Sequence, residues 1–235
     1  MSLTFNGQIL ANIMREIVES IRLSGSVTSV SELDGITTIT SVAHCLRKYE
    51  LVSINDVEYP VESITDDTFT ITGIGIVEED DTWSSLAPYY HHGHILEVAN
   101  IVEKFSKSNN IIDSFKTSPL IVLIQDFEED HDNDGFDQIA KDVNIVIVGA
   151  TSKDYYAADR YTNTFIPLLL PLYEKLMKAI KRSKYFTIDK DGLNHSKIDR
   201  MFYGSELGVQ ENIFEDFTDA VDIRGLDLKI NKNKC

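Results

Sequence analysis

Two short apolar runs, Pro119 to Ile124 and Val143 to Val148, flank a polar acidic stretch and lead into a long helical pattern. No other feature narrows the possible folds as much. Each run is rich in Ile and Val and bounded by turn formers, which marks a strand buried on at least one face. The stretch between them, Gln125 to Asp142, is too polar for a core and reads as a turn. After the second run, Gly149 ends the strand and Thr151 to Asp154 offer N-cap side chains. Tyr161, Phe165, Leu168, Leu169, Leu172, Leu176 and Ile180 then recur every three or four residues, with Glu174, Lys175, Lys178 and Lys181 on the other side. The expected centre is therefore a hairpin with a helix lying across it. Pro167 and Pro171 inside that helix predict a kink or a break into two pieces.

The same periodicities extend the reading in both directions. Residues 7 to 23 put Ile9, Leu10, Ile13, Met14, Ile17, Val18 and Ile21 on one helical face, and the helix should close near Ser24-Gly25. From Val27 the period drops to two. Short strands are expected through Ile36 to Val42, Leu51 to Ile54, Tyr59 to Val61 and Phe69 to Ile71, joined at Asp34-Gly35, Asn55-Asp56 and Asp66-Asp67. Residues 75 to 88, with Glu78 to Asp81 and a lone Trp83, read as a solvated linker, and Trp83 as a clamp on that loop or an anchor for a neighbouring subunit. Ile95 to Phe105 reads as a short helix. Beyond Ser183 the chain looks irregular until Ala220 to Ile230, which alternates as a strand with a bulge at Gly225 and is expected to pair with the central hairpin. The expected class is α+β, an antiparallel sheet packed by long helices. Residues 1–27 and 76–235 form that domain, and residues 28–75 are a small all-β barrel or sandwich inserted into it.

Composition limits the chemistry. A chain of 235 residues, 43% of them hydrophobic, can bury a real core. No apolar run reaches the roughly 18 residues that a membrane helix needs, and no leader pattern opens the chain, so the expectation is a soluble, unsecreted protein. Cys45 and Cys235 offer neither a disulfide framework nor metal-ligand spacing. The formal net charge of −16 repels polyphosphate and anionic lipid, which argues against gripping DNA. It fits either simple solubility or an acidic wall past which nucleic acid slides.

Three motifs invite a site assignment. Tyr89 to His94 holds His91, His92 and His94, but zinc usually draws its ligands from two separated pairs, and His44, His131 and His195 stand at no such spacing. His44 reads as a histidine satisfying a loop carbonyl. Asp130, Asp132 and Asp134 with Gly135 match the first half of a calcium loop; the second half fails, because Lys141 stands where a bidentate glutamate is needed. A solvated turn is the default reading there. Asp126, Glu128 and Glu129 with that turn are raw material for a magnesium-dependent hydrolase or nuclease, yet no nucleophile elbow or phosphate-cradling glycine loop accompanies them. No catalytic, cofactor or metal residue is assigned.

The small β segment resembles a module of tailed-bacteriophage virion proteins. The matching strings are Thr37 to Thr40, Ala43-His44-Cys45-Leu46, Leu51 to Val61 and Thr68 to Ile71; Cys45 replaces the module's usual glycine, and Lys48-Tyr49-Glu50 stands where Gly-Asp is usual. The rest of the chain resembles tail-completion or tail-terminator proteins of tailed phages, including neck rings of crAss-like phages of Bacteroidetes. That likeness rests on the first helix, Tyr90 and His92-Gly93 before Glu97, the strand to Gln125 followed by Asp126-Phe127, Val143 to Val148, Ala158 to Tyr161 through Phe165-Ile-Pro167 to Leu170-Pro-Leu-Tyr173, and Asp219 to Ile223 with Leu226 to Ile230. The resemblance implies a non-enzymatic ring of identical subunits at the neck or tail of a virion assembled in the host cytoplasm. Its expected partners are copies of itself, neighbouring portal, neck or tail proteins, and passing DNA held without specific contacts. A partner- or glycan-binding module is the alternative.

Overall fold

A computed structural model describes residues 6–42, 44, 46, 50–85, 88–94, 96–97, 119–131, 137–152, 154–187, 192–203 and 218–231. The chain divides into two compact units, Arg22–Ala87 and Met1–Ile21 with Pro88–Cys235.

The smaller unit is a two-sheet sandwich. One sheet runs β1 (Ser24–Ser26), β8 (Thr82–Ser85), β4 (Leu51–Ile54), β5 (Val57–Pro60); the other runs β2 (Ser29–Leu33), β3 (Ile36–Thr40), β7 (Thr68–Thr72), β6 (Ser63–Ile64). Both turns expected at Asp34-Gly35 and Asn55-Asp56 place two consecutive residues at positive φ, the twist a two-residue hairpin requires. Alternation turns Ile39, Phe69 and Ile71 of one sheet and Val52, Ile54 and Trp83 of the other into one shared core. The stretch read as a linker is thus in part a strand. Trp83 is 2% exposed; its ring meets Phe69 edge-on at 5.6 Å and its Nε1–H donates to Ser41 Oγ at 2.9 Å. It is core, and is neither a loop clamp nor an outward anchor. Gly25 sits against that ring: a Cβ there would stand 2.8 Å from it, so glycine serves close packing in β1, not the helix closure expected of it.

The larger unit is built on a mixed sheet ordered β13 (Phe186–Thr187), β15 (Thr218–Asn231), β12 (Asp137–Ala150), β10 (Leu120–Ile124), β9 (Tyr89–Gly93), with β11 (Glu128–His131) beside β12 and β14 (Ser196–Arg200) beside β15. β10 and β12 pair antiparallel, Leu120 opposite Val148, while β9 runs parallel to β10. β12 and β15 are each 14 residues long, and their ladder is interrupted where Gly225, at φ +67°, lies opposite Asn144. That glycine supplies the expected bulge.

One face of the sheet, carrying Ile121, Leu123, Ile145, Ile147, Val221 and Ile223, shares a core with α1 (Asn6–Glu19) and with the second helical segment. The other face buries Leu120, Val122, Val146, Val148 and Ala220. α1 presents the apolar face read from its spacing but stops at Glu19, where the Ser20 hydroxyl donates to Ile17 O at 2.6 Å.

The second helical segment does not break at its prolines. It runs as α2 (Ala157–Arg160), a π-helical stretch (Tyr161–Leu169) and α3 (Leu170–Arg182). Pro167 lies within the widened turns, and the Leu170 N–H reaches back five residues to Phe165 O. Thr162 Oγ1 and Asn163 Nδ2 donate to the carbonyls of Ala158 and Asp159, at 3.0 and 2.9 Å, which supplies donors to that end of the segment. Pro171 falls in the first turn of α3, where a missing N–H costs least.

The α+β expectation, with an antiparallel sheet packed by long helices, is overturned. Among the described residues strand accounts for 46% against 24% helix, in three multi-stranded sheets with two helical segments, α1 and the run from α2 to α3, so the described fold is mostly β. The error arose where short strands carry no period: β8, β9, β13 and β14 are two to five residues long, hold polar or aromatic residues, and gain their strand identity from the neighbours they pair with. Most of the helix expected over Ile95 to Phe105 lies outside the described residues; Leu96 and Glu97 are helical. Cys45 and Cys235 also lie outside them.

Gly149 tests the seat of the second helical segment. A Cβ there would come within 3.0 Å of Leu168 Cδ2 and 3.1 Å of Leu169 Cδ2. Gly149→Val should therefore lower the unfolding free energy by about 1–3 kcal/mol in urea titration, and an unchanged midpoint would contradict this packing.

Candidate functional site

The histidine strand β9 does not gather its rings. Neighbouring strand residues point to opposite faces, so His91 and His92 are turned apart by the pleat. His91 Nε2 lies 3.8 Å from Glu97 Oε2, which also accepts the His94 N–H at 3.3 Å. Gly93 makes room for this arrangement, since a Cβ there would run into the Glu97 carboxylate and the His91 ring. His92 lies near Phe127 on the other face, and its pKa is lowered, first by burial and then by the neighbouring His91, with Glu97 opposing. Tyr90 packs against the main core, where burial pushes its hydroxyl up and Arg15 pulls slightly the other way. Among the described residues, no three His, Cys, Asp or Glu side chains converge where an ion could be held.

His44 occupies the role read for it. It is buried, its Nδ1 accepts the Leu46 N–H at 2.9 Å, and its Nε2–H therefore faces the carbonyls of Thr65 and Thr68 at 3.0 and 3.1 Å. His195 is tied in a similar way: its Nδ1–H donates to Leu193 O at 3.0 Å and its Nε2 accepts the Tyr173 hydroxyl at 2.7 Å. The acidic residues weighed as a hydrolase set are split. Asp126 and Glu128 are exposed, and Glu128 lies opposite Lys141 on β12. Asp132, Asp134 and Gly135 of the calcium-like turn lie outside the described residues.

The most elaborate polar constellation was not singled out from the sequence. Arg160, at the end of α2, is fully buried together with Asp219 on β15, their Nη1 and Oδ1 atoms 2.6 Å apart. The remaining guanidinium nitrogens reach Tyr155 O at 3.1 Å from Nε and Ser152 O at 2.9 Å from Nη2. Phe202 closes the site. Its ring lies 3.5 Å from the guanidinium carbon, its N–H donates to Asp219 Oδ1 at 3.0 Å, and its φ is +52°. Three residues further along the same strand, buried Asp222 receives Arg200 at 2.6 Å and Arg224 at 2.8 Å on a single oxygen, Oδ2. Burial, with Asp222 adding to it, pushes the nearby Tyr203 hydroxyl up to about 12. A charged residue amid apolar helical spacing, followed far downstream by Asp219 within a strand, was the only signal available.

These groups tie separate parts of the fold together. Arg160 is held by three acceptors, Asp219 takes both its hydrogen bonds on Oδ1 while its buried Oδ2 has no partner among the described residues, and each cluster joins separate elements: loop to helix, helix to strand, strand to strand. No protein-family model matches the sequence, and comparison with curated proteins finds no match. No helix among the described residues is long and apolar enough to cross a membrane.

Two outcomes follow. Asp219→Ala leaves a buried guanidinium uncompensated and should cost about 3–5 kcal/mol in chemical denaturation, whereas Arg224→Ala, at a half-exposed position beside Arg200, should cost under about 1 kcal/mol. Equal losses would contradict the assignment. For His92 the folded pKa lies below the unfolded value of about 6.5, so the unfolded chain takes up the proton first and stability falls as pH drops through that range. Thermal melts from pH 7.5 to 5.5 should show a smaller acid loss for His92→Gln than for the parent; an equal loss would refute it.

Proposed function

We propose that this chain is a structural virion protein forming a homo-oligomeric ring at the head-to-tail junction of a tailed phage, with no chemistry of its own. The sheet of the larger unit carries this reading. Among the described residues its edge strands, β9 and β13, each pair with a strand on one side only, and strand edges are natural sites for contact with a neighbouring copy. Two different edges meeting head to tail produce a closed ring when the rotation between copies completes a circle. The polar clusters serve this role by fixing the strands in place. The charge of −16 is suited to a channel that DNA passes without adhering. The resemblance to tail-completion and neck-ring proteins agrees, on strings that fall in α1, β9, β10, β12, the second helical segment and β15.

A partner- or glycan-binding role for the smaller unit is the second reading. The observation behind it is a depression of about 610 Å³ on the outer side of the β1-β8-β4-β5 sheet, lined by Ser24, Ser26, Ser53, Asn55, Thr82 and Ser84. Glycan-array binding by the full chain that is lost in Ser53→Tyr would favour it.

The ring reading predicts that native mass spectrometry of the purified full chain, alone or with its neck partners, resolves one closed oligomeric state above the monomer. Monomers under every condition would refute it.

A further inference from the structure

The ring reading leaves open which surfaces meet, and two edges of the larger unit answer that from opposite ends of one row of strands. The ladders align Asp130 of β11 with Ile139 of β12, Ile139 with Lys229 of β15, and Lys229 with Thr187 of β13. β11 and β13 are therefore the two ends of a four-strand row, with three strand spacings or about 14 Å between them. Neither has a second strand partner among the described residues.

Their charges are opposite. Around β11 the chain carries Asp126 and Glu128, both exposed. At the other end, the last turn of α3 and its link to β13 carry Lys181, Arg182 and Lys184, all exposed. The nearby carboxylate of Glu16 accepts the Tyr185 hydroxyl at 2.5 Å, and Thr187 stands exposed on β13 itself. In a chain with 38 acidic and 22 basic residues, three exposed cations, Lys181, Arg182 and Lys184, close together at one sheet edge form a local reversal of sign.

We propose that the acidic β11 edge of one copy seats against the basic α3–β13 edge of the next, so that the occupant of each edge is a second copy of this chain. This rests on the ring reading and specifies its interface. Because the two edges share one row, the neighbour needs no shift along the strands to bring them level. The contact is heterologous, which is the geometry that builds rings. Exposed ion pairs are individually weak and screened by salt, so several acting together set register and association rate more than bulk affinity.

Charge exchange tests this on the full chain. Asp126→Lys with Glu128→Lys, and separately Lys181→Glu with Arg182→Glu, should each weaken assembly about tenfold or more by sedimentation velocity at physiological salt, with circular dichroism and melting point close to the parent. Mixing the two variants should restore assembly, since each then offers the edge the other lacks, and the parent's assembly should weaken as salt rises. Rings that persist unchanged in both variants would overturn this interface and leave the ring reading standing, as would loss in each variant without rescue on mixing. A parent chain that never assembles would overturn both.

Discussion

The Arg160 guanidinium is a full positive charge with no access to water, and the surrounding chain has to supply everything that water would. It does so from four directions: Asp219 on β15 gives the counter-charge, Tyr155 and Ser152 give carbonyls from the loop after β12, and Phe202 lays its ring over the cation from the end of β14. Since a buried charge that loses its partner is severely destabilising, these segments are constrained to stay together. The sheet and the second helical segment are therefore locked at the point where the chain passes from strand to helix. Phe202 adopts a left-handed conformation there because its N–H and its ring both serve the same pair.

From that fixed point the packing spreads outward. Gly149 faces Asp219 across the ladder and lets Leu168 and Leu169 settle directly on β12, where a larger residue would hold them away. Tyr161 stacks on Phe165 at 4.8 Å and donates to Asp199 on β14 at 3.2 Å, joining the π-helical stretch to the far edge strand. Asp222 then gathers Arg200 and Arg224, so β14 is pinned to β15 through charge as well as through its ladder. Among the described residues, the buried charged side chains Arg160, Asp219 and Asp222 are all members of these ion pairs. A protein that works by holding a shape would use its charges in this way.

The sequence made the long apolar elements readable. The stripe of α1, the Ile and Val runs of β10 and β12, and the alternation around Gly225 each repeat often enough to reveal their period. Short edge elements were not readable, because Tyr89 to Gly93 and Ser196 to Arg200 have no apolar period and become strands only by pairing with β10 and β15. Trp83 was misplaced because its acidic neighbours, Glu78 to Asp81, look like solvated loop while the indole itself turns inward onto Phe69. The prolines misled for a different reason. A wider helical turn can absorb Pro167 without ending the helix, and sequence spacing does not reveal that the hydrogen-bond register has changed. The pairing of Arg160 with Asp219 spans 59 residues and carries no local signature at all.

The proposed ring requires the chain to repeat itself around an axis, with its charged groups serving shape and contact. Electron microscopy of intact virions with this protein labelled tests that claim most directly. The proposed ring places the label in a single closed ring at the junction of head and tail. Label scattered over the capsid or along the tail, or absent from the particle, would contradict it.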